Sequence, residues 1–164
     1  MEVNLKNYGD SNWKDKVTAI GGKAITYDAI GNPLTYDGWT FTWKAGRMLA
    51  SMVKNGTNAQ FTYDHNGMRI RKIVNGVTTN YTLNGKNVVH MTQGSHDLHF
   101  FYDAQGKPGM VTYNDVDYFY VYNLQGDVVA IVDTNGTQVV EYGYDAWGNP
   151  ISKTGTLAAT LGTL

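Results

Sequence analysis

The 164-residue sequence contains no cysteine. Disulfides and thiolate metal sites are therefore excluded, while the compartment stays open. Charged residues make up only 16%, for a formal net charge of −1, and they form no basic run, acidic tail or charge block. Nothing in that balance favours nucleic acid or anionic lipid as a partner. No apolar run approaches the roughly 18 residues needed to span a bilayer, so no membrane insertion is expected. The opening MEVNLKNYGDSNWKDK lacks a basic flank followed by an apolar core, so it does not read as a signal peptide. Proline is scarce, at 3 residues, but glycine is not, at 19.

Twelve tyrosines accompany those glycines, with valine and threonine interspersed. Such residues suit pleated, half-buried surfaces, and Gly beside Asn and Asp marks turns, so the composition is all-β. The phrase YDAIGNP at 27–33 returns as YDAWGNP at 144–150. Its kernel, Tyr-Asp-x-x-Gly, occurs four times: Tyr27, Asp28 and Gly31; Tyr63, Asp64 and Gly67; Tyr102, Asp103 and Gly106; Tyr144, Asp145 and Gly148. Degenerate copies fill the gaps, at Trp43 with Gly46, Tyr81 with Gly85, Tyr122 with Gly126, and Val132 with Gly136. Eight copies at a spacing of about 20 residues indicate a repeat architecture. The last two steps are short and read as one split unit.

Each unit can be read physically. Residues before the tyrosine alternate, as in VVEYGYD, where Val140, Tyr142 and Tyr144 share one face. Asp bonds its own backbone and Gly supplies a positive φ, so the motif is a strand running into a tight turn. Asn-Gly pairs between alternating runs add hairpin turns. Two strands and two turns per unit predict about sixteen strands. Facing positions carry Tyr, Thr, Asn and Gln rather than dense aliphatic layers, which disfavours a sandwich. The expected fold is an all-β array of antiparallel β-hairpin repeats forming a curved, open segment of a β-spiral shell. Residues 1–23 read as a lead-in with a partial repeat, 24–155 as the array, and 156–164 as a frayed or disordered tail.

As a set, YDxxGN at Tyr27–Asn32 and Tyr144–Asn149, FTWKAGR at 41–47 and YVYNLQGDVVAIVDTNG at 120–136 resemble the Rhs/YD-repeat family. The resemblance covers about residues 24–155. It implies a hollow shell wound from β-hairpins, which in bacterial polymorphic toxins and insecticidal toxin complexes encloses a toxic C-terminal domain. In teneurins a similar shell serves cell-surface adhesion. It also implies a secreted or wall-associated bacterial setting. The expected partners are the remaining repeats and the C-terminal domain of a longer parent. The final repeats resemble those just before the family's C-terminal core-associated region, whose self-cleavage site matches no residue here.

Several residues are weighed for chemistry. Asp28, Asp64, Asp103 and Asp145 lack the dense ligand run of a Ca²⁺ loop, and equal repeat positions spread them apart, so turn capping is expected. His96 and His99, with His90 nearby, raise a zinc site, but strand spacing sends His96 and His99 to opposite faces. Trp39, Trp43 and Trp147, with the tyrosines, are weighed for glycan contact against cross-strand packing; the repeat position of Trp43 supports packing, and Trp39 and Trp147 are kept as the glycan candidates. No GxSxG or GxxxxGK[ST] motif is present. No cofactor, metal or catalytic residue is therefore assigned. The leading expectation is a non-catalytic shell segment, and the alternative is a cell-surface carbohydrate-binding module. Self-association through exposed strand edges is also expected.

Overall fold

The computed structural model describes residues 5–163, so the first four residues of the lead-in and Leu164 of the tail lie outside the described residues. Sixteen antiparallel strands form one open, unclosed sheet in which strand order follows chain order. The all-β expectation and the strand number both hold. The chain divides into two compact units, one reaching to Asn80 and the other starting at Tyr81.

The first unit holds β1 (Lys6–Tyr8), β2 (Val17–Ile20), β3 (Lys23–Tyr27), β4 (Pro33–Tyr36), β5 (Trp39–Lys44), β6 (Met48–Lys54), β7 (Thr57–Tyr63), β8 (Arg69–Val74) and the first half of β9 (Val77–Asn84). Two turn types alternate here. Asp37-Gly38, Asn55-Gly56 and Asn75-Gly76 are two-residue loops with positive φ at both positions, which matches the twist of the strands they join. The other strand ends carry longer corners at Asp28, Ala45 and Asp64. Cross-strand register sorts the faces. Tyr36 pairs with Trp39, Phe41 with Met52 and Trp43 with Leu49 on one face. The other carries Thr26 opposite Thr35 and Thr42 opposite Ser51, each pair hydrogen-bonded through hydroxyls at 2.6 Å.

The second unit holds the rest of β9, then β10 (Asn87–Gln93), β11 (His96–Tyr102), β12 (Pro108–Tyr113), β13 (Val116–Tyr122), β14 (Val128–Asp133), β15 (Gln138–Tyr144), β16 (Pro150–Thr154) and a 3-10 turn at Leu161–Thr163. One face buries Leu98, Val111, Ile131 and Val140 almost completely, with Phe100, Tyr118, Tyr120 and Tyr142 packed around them. In a single-layer sheet, large neighbouring aromatics supply the cover that a second layer would otherwise give.

The tail departs from the frayed ending expected for it. Leu157 donates its N–H to the Val139 carbonyl at 3.0 Å, and Leu161, only 4% exposed, joins the cluster of Val139 and Val140. The physical reason is the apolar strip of β15, which the tail's leucines cover. Gly155 makes the approach feasible. Its φ is +116°, and a Cβ there would lie 2.3 Å from the Val139 carbonyl oxygen.

A second difference concerns the short steps around Val132. The corner running from Asp133 to Thr137 joins β14 to β15. Those of Asn123 and Asp145 join β13 to β14 and β15 to β16. In an antiparallel array these connections lie at opposite strand ends. The same turn chemistry is thus used once on the hairpin side, and the repeat is halved there.

Candidate functional site

The repeat motif is the feature from which the rest of the molecule is built. At each full corner the Asp or Asn caps its own turn. Asp64 donates its N–H to the Met68 carbonyl at 2.9 Å, and Gly67 donates to the Asp64 carbonyl at 3.1 Å. The Asp64 Oδ1 accepts from the N–H groups of Asn66 and Met68, both at 2.9 Å. The same backbone and side-chain bonds recur at Asp28, Asp103, Asp133 and Asp145. At Asn123, Oδ1 accepts from Asp127 alone, beside the same backbone pair. Gly31, Gly67, Gly106, Gly126, Gly136 and Gly148 all hold the left-handed position of the turn. Gly46 follows Ala45 in a shorter loop, and Gly85 leads the connection from β9 to β10. Tyr81 therefore lies inside β9 rather than at a corner.

The motif aromatic does more than pack. Tyr27 donates its hydroxyl to the Val17 carbonyl at 2.6 Å, Tyr63 to Leu49 at 2.9 Å, Tyr102 to Val88 at 2.8 Å and Tyr144 to Val128 at 2.8 Å. Tyr122 donates to Pro108. Trp43 makes the equivalent bond to Pro33 through its indole Nε1–H at 2.7 Å. Every acceptor lies near the start of the strand preceding the tyrosine, close to the previous corner. The tethers thus sew neighbouring corners together. Sequence reasoning assigned these rings to packing and missed the bond. The only sequence signal is that Tyr and Trp, which share a donor that Phe lacks, occupy the position.

Electrostatics support the pattern. Burial pushes the hydroxyls of Tyr102, Tyr120, Tyr122 and Tyr142 above the usual phenol range, so they stay protonated; for Tyr122 the charge of Asp103 adds to this. Desolvation works against the charged form of Asp28. Bonds from the Asn32 backbone and side chain, Ile30 and Gly31 outweigh it and hold the carboxyl below its ordinary range. At Asp145 the Asn149 side chain is the leading cause of a similar lowering, followed by the Asn149 and Trp147 N–H groups. The asparagine shared by both copies of the opening phrase is thereby explained. Asn32, 4% exposed, also donates to the Gly46 carbonyl at 2.7 Å and so reaches the next corner.

The two tryptophans weighed for glycans differ. Trp39 is half-buried, stacks on Phe41 at 6.4 Å between centroids, and lies beneath the Lys54 ammonium. Trp147 is 88% exposed on the Asp145 corner. Of the histidines, His96 bonds the Tyr113 hydroxyl at 2.7 Å through Nδ1, whereas His90 and His99 face each other across β10 and β11. In the second unit an apolar groove of about 360 Å³ is lined by Tyr81, Val88, Met91, Phe100, Tyr102, Pro108, Tyr120 and Val128.

The teneurin YD-shell family model matches residues 8–161, nearly the whole chain. The chain belongs to the YD-shell family. Similar proteins with curated descriptions include the tRNA nuclease WapA of Bacillus subtilis and the tRNA3(Ser)-specific nuclease WapA of Bacillus spizizenii. Each is 38% identical over 146 residues, covering 85% of this chain and 6% of the relative. This YD-shell chain therefore spans a small fraction of the length of the curated relatives it matches. Among solved structures, a Tc holotoxin pore from Photorhabdus luminescens aligns with a TM-score of 0.53 at 15% identity, over 79% of this chain and 7% of that one. A TcdB2-TccC3 crystal structure gives 0.52 at 16% identity, over 79% and 8%. At such identities the likeness shows the fold alone.

Proposed function

We propose that this chain is a stretch of wall in a hollow YD-repeat shell, that it carries no catalytic group, and that the shell encloses or displays a domain C-terminal to it. The observation that carries this reading is the sewing of corner to corner by the motif aromatics, which invests the repeated residues in continuity of the sheet. The partners are the neighbouring repeats and that C-terminal domain, and the setting is secreted or wall-associated. The relatives are named as tRNA nucleases, and the reading assigns that activity to parts of their chains outside the matched 6%. Incubating the isolated chain with total tRNA is expected to leave it intact. Cleavage abolished by a point substitution in this chain would overturn the non-catalytic part. In the full-length parent, the C-terminal domain is expected to resist protease until the wall is destabilised, and equal sensitivity of both would overturn enclosure.

The exposure of Trp147 favours a second reading, contact with glycans through a bare aromatic on a corner. Binding on a glycan array that Trp147→Ala removes would support it, and an array with no signal would end it.

A further inference from the structure

We infer that His90, Asp97 and His99 form a binding site for a divalent transition metal of the zinc type, clasping β10 to β11. The turn at Gly94 sets a register in which His90 lies opposite His99, and Thr92 opposite Asp97. Asp97 and His99 are two apart on one strand and so share its face. The topology therefore collects two imidazoles and one carboxylate on a single patch. The Asp97 Oδ1 lies 3.0 Å from His90 Nε2 and 3.2 Å from His99 Nε2. One ligand atom from each residue falls within 4.8 Å of the others. Zinc bonds to nitrogen and oxygen run at about 2.0–2.2 Å, so ligand atoms in a tetrahedral shell stand roughly 3.3 Å apart. Both oxygen–nitrogen separations are already near that value.

Donor chemistry selects the metal. Two neutral imidazoles with one carboxylate suit Zn²⁺, Co²⁺ or Ni²⁺, whereas Ca²⁺ and Mg²⁺ take oxygen ligands. Three protein ligands leave a position for water. The backbone around Asp97 is fixed independently of any ion. Its N–H donates to Asn114 Oδ1 and its carbonyl accepts from the Asn114 N–H, both at 2.9 Å. Across from His99, Thr112 donates its hydroxyl to Asp117 at 2.7 Å, placing a second carboxylate on the same face. The rings of His90 and His99 are now stacked, 4.2 Å between centroids and 11° from parallel. A shared ion must lie in both ring planes, so binding requires the rings to tilt towards each other. His99 is about half exposed, which leaves room for that rotation.

Chain stripped with a chelator and titrated calorimetrically with ZnCl₂ is expected to bind one equivalent. His90→Ala and His99→Ala should each weaken binding at least tenfold, and Asp97→Asn by less. His65→Ala, at a corner in the first unit, should leave it unchanged. Loading with CoCl₂ should give the intense visible absorption of a low-coordinate cobalt site, lost in His99→Ala. Circular dichroism of each variant identifies any that misfolds, and His99→Gln then replaces His99→Ala. No saturable binding, or binding that survives removal of both His90 and His99, overturns the site.

Discussion

Tyr63 and Trp43 perform one task with different donors, a phenol O–H and an indole N–H, each reaching a carbonyl on the preceding strand. The ring packs on the face while its polar tip satisfies a backbone acceptor. Tyr63→Phe keeps the ring and removes the bond, and should cost about 1 kcal/mol in denaturant unfolding. Tyr8→Phe, on the 57% exposed Tyr8, should change little. A second residue-scale prediction concerns acid. The folded-state carboxyls of Asp28 and Asp145 lie below their ordinary value. Each therefore contributes stability that is present above about pH 3.9 and is lost as pH falls through the lower folded value. Asn123 shows that asparagine can occupy such a corner. Asp28→Asn combined with Asp145→Asn should thus lower Tm at neutral pH, and the gap from wild type should close below about pH 4. A gap constant across pH would refute the charged-cap account.

At the scale of elements, two glycines separate strain from obstruction. Gly76 has φ +85°, and a Cβ added there would meet nothing within 4 Å, so Gly76→Ala should cost about 1 kcal/mol through backbone strain alone. Gly155 combines φ +116° with a blocking carbonyl. Gly155→Ala should displace the tail and cost about 2–3 kcal/mol, read as early proteolysis beyond Thr154 and a lower Tm. Much of this level was legible in the sequence. Asn55-Gly56 and Asn75-Gly76 announce their own turn type, and Tyr-Asp-x-x-Gly announces a corner, because local chemistry decides both. The tethers were not legible, since a backbone carbonyl has no residue identity and its choice depends on register. The docking of Leu161 was hidden for a related reason, as the strip around Val139 and Val140 that the tail covers is assembled by the sheet and not by neighbouring residues. The meeting of His90 and His99 was recoverable in principle. A two-residue turn at Gly94-Ser95 places positions equidistant from it opposite each other.

For the molecule as a whole, the outermost strands matter most. All three residues of β1 and all five of β16 are exposed, and each strand has a single neighbour among the described residues. Unpaired strand edges template pairing with other chains. The isolated chain is therefore expected to self-associate with rising concentration in light scattering. Ile151→Lys, which puts a charge on β16, should shift it towards monomer. A strict monomer at millimolar concentration would contradict this. Every strand pairs with its neighbours in the chain, so contacts are local and loop closure costs little entropy. Refolding in the millisecond range or faster is expected from that topology.

Because each tether ties a strand only to the one before it, a duplicated hairpin would bring its own fastening and leave the rest undisturbed. A duplicated single strand would turn everything downstream end for end and break the joint at the insertion. Growth of such a molecule over evolutionary time is thereby confined to even increments, and its length can be adjusted without redesigning a single joint.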